Sequence, residues 1–190
     1  MLLVSFEKGK NYLIFTPFRY PPLKYGSRFG SIFEPSLWYG SLELETAFTE
    51  IAYYRLKFFE DTSANLGNVE ISMTAFTAYI VSNKGIDLTA KPFNQYSKYI
   101  SDKNTYDYSQ LLGTHMRENN IEVFIYSSAR TKGMMDNVAA FTQSVFQYKK
   151  NQYVHNEQKW KCFANRHSIE FTRVELKGTK RFSFSEDYFV

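Results

Sequence analysis

The feature that most constrains the fold is one amphipathic helix pattern in a chain otherwise rich in strand-forming aromatic residues. From position 44 onward apolar residues recur every three or four positions, which predicts a helix with one buried stripe. Acidic residues at positions 43 and 45 suit the positive end of that helix, and Ser41 is the expected N-cap. The stripe is expected to consist of Leu44, Ala47, Phe48, Ile51, Ala52, Phe58 and Phe59.

Glu50 does not belong to this stripe. Its helical neighbours one turn away are Thr46 and Tyr54, so these three residues form a semi-polar line beside the apolar one. We therefore expect Glu50 to face something other than the main core.

Most of the remaining segments have the composition of β-strands, and they are separated by turn residues. A second helix is predicted within NTYDYSQLLGTHMRENN, and a turn within SNKGID. Strands with a few helices and no βαβ alternation indicate an α+β fold. The predicted strands are NYLIFTPFRYPP (ending at its two prolines), SLWYG, NVEISMTAFTAYIV, IEVFIYS, part of VAAFTQSVFQYK, QYVHNEQKWKCFAN and HSIEFTRVEL.

Bulk properties narrow the class of protein. The 190 residues fit one domain, so we expect a single domain over residues 1–190. The single cysteine, Cys162, excludes an intrachain disulfide. No secretory signal pattern and no apolar run of about 20 residues occurs, so we expect a cytoplasmic protein. The three histidines are dispersed, so no metal site is expected. The glycine-rich phosphate-binding motifs and the GxSxG motif are also missing from the sequence.

The positive charge is concentrated near the end of the chain. Residues 1–148 hold fourteen basic and fourteen acidic residues, whereas residues 149–190 hold nine basic and five acidic ones. The stretch YKKNQYVHNEQKWK mixes lysines with aromatics, as single-strand binding surfaces do. A non-enzymatic nucleic-acid-binding module is therefore one alternative, although Glu157, Glu170 and Glu175 interrupt the basic patch.

A loop that follows a predicted strand carries the other candidate polar residues. In IYSSARTKGMMDNVAAF, Ser127, Ser128, Arg130 and Asn137 are suited to form the polar rim of a ligand pocket. The alternative is that Ser128 only caps the turn and that Arg130 is solvated.

Three separated motifs, GSRFG, LWYGSLELETAFTE and YSSARTKGMMDN, together resemble the RES-domain family over roughly residues 18–141. The family is named for an arginine, a glutamate and a serine, which correspond here to Arg28, Glu50 and Ser128. Tyr39, at the start of the second motif, matches the family's tyrosine on the strand that follows the arginine motif. Two departures occur: Ser127 replaces the usual proline, and Met134 replaces a glycine.

The resemblance implies a toxin of a bacterial toxin–antitoxin pair that consumes NAD. It also implies a split, mixed sheet with an NAD cleft, as in ADP-ribosyltransferase toxins. Cleavage of the nicotinamide–ribose bond passes through an oxocarbenium-like state, which a fixed carboxylate such as Glu50 stabilises. Arg28 would bind the pyrophosphate and Tyr39 the nicotinamide ring.

The remaining candidate residues complete the implied site. Ser128 and Asn137 would hold a ribose hydroxyl, a phosphate oxygen or the nicotinamide amide. Arg130 and Tyr54 are further candidate NAD contacts. The acceptor is phosphate, water or, as an alternative, a protein side chain. NAD is a substrate here, with no further cofactor implied. The implied partner is a cognate Xre-like antitoxin protein.

Each role has a structural alternative. Arg28 would instead bond loop carbonyls, and Tyr39 would pack in the core. Glu50 would be an exposed helix acid, and Tyr54 would be a packing residue.

Overall fold

The computed structural model describes residues 11–133 and 135–189, which form four α-helices and eight β-strands. The helices are α1 (Tyr12–Phe15), α2 (Leu44–Asp61), α3 (Ser97–Ile100) and α4 (Asp107–Glu118). The strands are β1 (Trp38–Ser41), β2 (Val69–Thr77), β3 (Gly85–Asp87), β4 (Val123–Ser127), β5 (Asp136–Ala140), β6 (His155–Ala164), β7 (Ser168–Glu175) and β8 (Gly178–Ser185).

The strands form two four-stranded sheets, in the orders β1-β5-β4-β3 and β2-β6-β7-β8. In the first sheet β3 and β4 are parallel, and the connection between them contains α3 and α4. In the second sheet β6, β7 and β8 pair antiparallel in sequence order. The predicted α+β class with mixed and antiparallel sheets is confirmed. The likeness to ADP-ribosyltransferase toxins stays a prediction.

The chain divides into two compact units, each assembled from three stretches. Among the described residues, the first unit comprises residues 11–40, 77–126 and 138–156, and the second comprises residues 41–76, 127–133, 135–137 and 157–189. The expectation of a single domain stays a prediction.

The core of the second unit forms where α2 packs against β7 and β8. Phe48 of α2 stacks on Phe171 of β7, with ring centroids 4.3 Å apart, and meets Trp160 edge-on at 4.8 Å. Offset and edge-on ring pairs stabilise a core beyond the apolar area that they bury. The buried members of this core are Phe48, Ala52, Leu56, Phe59, Trp160, Cys162, Ala164, Ile169, Phe171 and Phe184.

The core of the first unit is built around one phenylalanine of the GSRFG motif. Phe29 is fully buried, and its ring lies 4.7 Å from that of Phe124 and 4.8 Å from that of Tyr126, both on β4. The other buried members of this cluster are Leu37, Leu88, Ile100, Met116 and Ala139. The residue beside Arg28 is therefore an anchor in the core.

The predicted strand in NYLIFTPFRYPP is wrong, because the structure forms α1 and then a 3-10 turn at Pro17–Arg19. Asn11 begins the helix, since its side-chain oxygen accepts a hydrogen bond from the Leu13 amide at 2.9 Å. A short apolar run does not by itself distinguish a strand from a helix. Capping by Asn11 decides in favour of the helix here.

Two further strands differ from the prediction. Gly85–Asp87, predicted as a turn, is strand β3, whose three residues pair in parallel with β4. The connection from β3 to β4 contains helices, so the chain has a β-helix-β arrangement that was not expected. Strand β8 was missed because only Phe184 is buried among its eight residues, and a mostly exposed edge strand has little hydrophobic pattern.

Helix α2 begins later than predicted. Glu43 occupies the N-cap without a side-chain capping bond, while Ser41 is the last residue of β1. The buried face also differs: Thr46 is fully buried, whereas Phe58 is 59% exposed. Met134 and the first ten residues, where no signal pattern was expected, lie outside the described residues.

Within residues 11–133 and 135–189, no helix is both long enough and apolar enough to cross a bilayer.

Replacing Phe171 by alanine should lower the free energy of unfolding by about 3–5 kcal/mol, because the change leaves a cavity under α2. Val174→Ala on the same strand is the matched control, since Val174 is 86% exposed. It should change the free energy of unfolding by less than about 0.5 kcal/mol. Urea unfolding measures both variants, and equal losses would contradict this description of the core.

Candidate active site

The Glu50 carboxylate is the centre of a polar cluster in the second unit. One of its oxygens, Oε1, accepts a hydrogen bond from Ser128 Oγ at 2.7 Å and another from Asn137 Nδ2 at 2.7 Å. These donors come from the loop after β4 and from β5, so three separate segments meet at one oxygen atom. Among the described residues no hydrogen bond reaches the second oxygen, Oε2.

The Ser128 hydroxyl uses its full hydrogen-bonding capacity within the protein. It donates to Glu50 and accepts from the backbone amides of Arg130 at 3.1 Å and Thr131 at 3.3 Å. A serine hydroxyl offers one donor and two acceptor sites. Ser128 therefore caps its turn, as the alternative interpretation held, and also orients Glu50.

Asn137 is fixed from both ends of its side-chain amide. Its Oδ1 accepts a hydrogen bond from Ser41 Oγ at 2.6 Å, while its Nδ2 donates to Glu50. The residue is 1% exposed, so both ends are held away from water. Ser41 was predicted as a helix cap, but its hydroxyl instead donates to Asn137 and so helps to position it.

The loop that carries Ser128 is closed at its base. The Ser128 amide donates to the Met135 carbonyl at 2.8 Å, and Ser127 Oγ donates to Asp136 at 3.3 Å. Thr46, one turn before Glu50, contacts the Met135 sulfur at 3.4 Å. Helix α2 thus contacts the loop through Glu50 and, one turn earlier, through Thr46. These two contacts fix the direction of the Glu50 side chain.

Arg130 rests on an aromatic ring that the sequence reasoning did not select. Its guanidinium carbon lies 3.5 Å from the ring centroid of Tyr53, and the residue is 7% exposed. Tyr54, the predicted contact, is 49% exposed, and its ring meets that of Tyr53 edge-on at 5.2 Å. Tyr53 lies three residues after Glu50, one helical turn away, so the same spacing argument applies to both tyrosines.

Arg28 lies in the first unit, inside a tight turn closed by hydrogen bonds between Ser27 and Gly30. Its Nη1 donates to the carbonyl of Asp102 at 2.8 Å, and its guanidinium lies 4.7 Å from the ring centroid of Tyr106. The residue is 7% exposed. Arg28 therefore does bond a loop carbonyl through Nη1, as the structural alternative to phosphate binding held.

A glycine makes this turn possible. Gly26 has a φ of +70°, and a Cβ atom there would lie 2.3 Å from the Gly30 carbonyl oxygen. Gly113 of α4 packs so closely that its Cβ would lie 2.1 Å from the Phe29 carbonyl oxygen. Arg28 is thus placed by two glycines and by the buried Phe29 ring.

Tyr39 lies beside the same turn. Its hydroxyl accepts a hydrogen bond from the Phe29 amide at 3.0 Å and donates to Ser27 Oγ at 3.0 Å. Burial raises the pKa of Tyr39 to about 12, despite these two hydrogen bonds and the nearby Arg28 charge, which act to lower it. Tyr39 therefore remains a neutral phenol at physiological pH.

Tyr39 also lines a pocket of about 240 Å³ within the first unit. The walls include Pro21, Pro22, Leu37 and Ser27, so they are mainly apolar. The volume is below the roughly 300–1,000 Å³ of pockets that enclose a drug-sized ligand. A space of this size suits one ring of a larger molecule.

The predicted site residues thus form two local groups. In the second unit Glu50 accepts hydrogen bonds from Ser128 and Asn137, and the Arg130 backbone amide donates to Ser128. In the first unit Arg28 and Tyr39 share one turn. The roles assigned to all of these residues stay predictions.

The family model of the RES domain matches residues 3–163 of the chain. The chain therefore belongs to the RES domain family, as the motifs indicated. Membership is consistent with an NAD-utilising domain related to toxin–antitoxin systems. No curated protein matches the chain.

Replacing Gly26 by alanine should destabilise the Arg28 turn. The positive φ costs roughly 1–3 kcal/mol for a residue with a side chain, and the close carbonyl adds to it. Gly85→Ala is the control, because its Cβ would meet Val123 at an ordinary 3.4 Å. Thermal unfolding should show a lower midpoint for the first variant only. An unchanged midpoint for Gly26→Ala would contradict this description of the turn.

Proposed function

We propose that this chain is an NAD-degrading toxin that cleaves the nicotinamide–ribose bond, with phosphate or water as acceptor. The observation that supports this best is the Glu50 carboxylate, which receives two hydrogen bonds on Oε1. Its occurrence in a member of the RES domain family supports the choice of NAD as substrate. We expect the protein to work in the cytoplasm, where NAD is available.

The proposed reaction begins with heterolysis of the bond between C1′ of the ribose and the nicotinamide nitrogen. The electron pair leaves with nicotinamide, whose ring becomes neutral, and positive charge develops at C1′ and the ribose ring oxygen. A phosphate or water oxygen then forms the new bond to C1′. With water the products are ADP-ribose, nicotinamide and a proton.

Glu50 is proposed as the group that stabilises this charge. Ser128 and Asn137 hold Oε1 in place before substrate arrives, and a carboxylate that is already oriented needs little reorganisation as charge develops. The second oxygen, Oε2, is proposed to face the ribose. Ser128 and Asn137 then act by positioning Glu50, because their polar atoms are already engaged.

The arginines are proposed to bind the phosphates. Arg28 Nη1 donates to the Asp102 carbonyl, and the other guanidinium nitrogens are proposed to form charge-assisted hydrogen bonds to an oxyanion. Arg130 is the second candidate. Tyr39 is proposed as a wall for the nicotinamide ring, in agreement with its place beside a pocket of one-ring size. Tyr54 remains a candidate contact at the surface.

The partner proposed for such a toxin is a cognate Xre-like antitoxin that covers the site. Membership in the RES domain family supports this proposal. Co-purification of the chain with the product of a neighbouring gene would test it, and the absence of any such gene would count against it.

Nucleic-acid binding is less well supported, because acidic side chains pair with much of the basic patch. Lys161 pairs with Glu70, and Arg181 Nε lies 3.4 Å from Glu170. A nucleic-acid complex would weaken steeply with rising salt, whereas NAD turnover would respond much less.

Replacing Glu50 by glutamine should reduce NAD consumption by at least about 100-fold. The glutamine oxygen still accepts the hydrogen bonds of Ser128 and Asn137, so the fold is kept while the charge is lost. Glu60→Gln on the same helix is the control, because its carboxylate is 71% exposed. NAD loss is followed by absorbance after enzymatic coupling, and circular dichroism confirms folding.

A wild-type chain that leaves NAD intact with phosphate present, over a wide range of protein concentration, would overturn the proposed function. Equal activity of Glu50→Gln and Glu60→Gln would overturn the role of Glu50 alone.

Mass spectrometry of the products identifies the acceptor. Phosphorolysis gives ADP-ribose-1″-phosphate, hydrolysis gives free ADP-ribose, and the alternative of protein ADP-ribosylation gives a modified protein. Detection of only a modified protein would replace the proposed acceptors with that alternative.

A further inference from the structure

The segment that follows the matched family region contacts the candidate site loop. Residues 164–190 lie beyond the match at 3–163, so the family model does not describe them. Near its end the chain forms a 3-10 turn, Glu186–Tyr188, followed by Phe189. Both aromatic residues pack against the core of the second unit.

Each cation of the site loop rests on its own aromatic ring. Arg130 lies 3.5 Å over Tyr53, and Lys132 Nζ lies 4.8 Å over Tyr188. The Lys132 amide also donates to the Tyr188 hydroxyl at 3.5 Å. The two rings are linked through Phe189, whose ring lies 5.5 Å from Tyr53 and 4.9 Å from Tyr188.

The C-terminal end of this assembly is anchored in the core. Phe184, which is 4% exposed, meets Tyr188 edge-on at 5.3 Å and Phe189 at 6.3 Å. The Glu186 amide donates to the His167 carbonyl at 3.2 Å, so the turn is also tied to the start of β7. Movement of the rings is therefore restricted on the side away from the loop.

We propose that Tyr53, Tyr188 and Phe189 form an aromatic brace that positions Arg130 and the 128–133 loop to bind the phosphate groups of the substrate. The proposal rests on the proposed function for the identity of that substrate. Cation–π contact holds the guanidinium carbon 3.5 Å from the Tyr53 ring centroid and so restricts the direction of its donors. The three aromatic residues are positioning residues, since they act through Arg130 and Lys132.

The brace also bears on Glu50 through the backbone. The Arg130 and Thr131 amides donate to Ser128 Oγ, which in turn donates to Glu50. A loop released from its rings loses these amide contacts to Ser128, whereas Asn137 still holds Glu50 Oε1, so Arg130 is affected more than Glu50. The C-terminal turn is therefore part of the machinery that orders the site, although it lies outside the matched region.

The test compares Tyr53→Leu, which removes the ring, with Tyr53→Phe, which keeps it. Tyr53→Leu should raise the KM for NAD about tenfold and change kcat less, because a misdirected arginine weakens phosphate binding. Tyr53→Phe should match the wild type. Tyr188→Leu should raise the KM in the same direction, and it replaces Tyr53→Leu if that variant does not fold.

Hydrogen exchange of the loop amides gives a second measurement that does not depend on NAD. Peptides covering residues 128–133 should exchange faster in Tyr53→Leu and Tyr188→Leu than in the wild type or Tyr53→Phe. If the wild type consumes NAD and the leucine variants match it in both KM and exchange, the brace is overturned. If the wild type does not consume NAD, the proposed function fails, and unchanged loop exchange in the leucine variants would overturn the brace as well.

Discussion

The two hydrogen bonds to Glu50 Oε1 are the contacts on which the site in the second unit depends. A carboxylate at the edge of a helix is ordinarily solvated and free to rotate. Here Ser128 and Asn137 take up one oxygen, and Ser41 and the backbone of the loop complete the network behind them. Each member of the network forms a hydrogen bond with the next, so helix, loop and strand together set the direction of Glu50.

Arg28 is positioned mainly by packing of the backbone around it, whereas Glu50 is positioned by hydrogen bonds to its side chain. Its turn is held by glycines that permit close backbone approach and by Phe29, which is fully buried between rings of β4. Packing therefore fixes the backbone, and among the described residues the guanidinium is held by hydrogen bonds from Nη1. The hydroxyl of Tyr39 closes the same turn, so its burial serves the position of Arg28 as well as its own.

The sequence predicted the parts of this structure that have strong local signals. Helix α2, the long strand β2 and the antiparallel tail follow from periodicity, and Glu50, Ser128 and Asn137 follow from the resemblance to a family. It did not reveal α1, where one capping residue outweighs an apolar run, or β8, an exposed edge strand. Tyr53 and Ser41 were missed because their importance arises from contacts with distant segments, and no spacing along the chain reports such contacts.

A crystal structure of the protein with a non-cleavable carbocyclic NAD analogue would show whether Glu50 faces the ribose next to the nicotinamide. We expect a hydroxyl of the nicotinamide-side ring within about 2.6–3.2 Å of a Glu50 carboxylate oxygen, with Ser128 and Asn137 still donating hydrogen bonds to Oε1. An analogue bound with that ring out of reach of Glu50 would show that Glu50 does not stabilise the charge on the ribose.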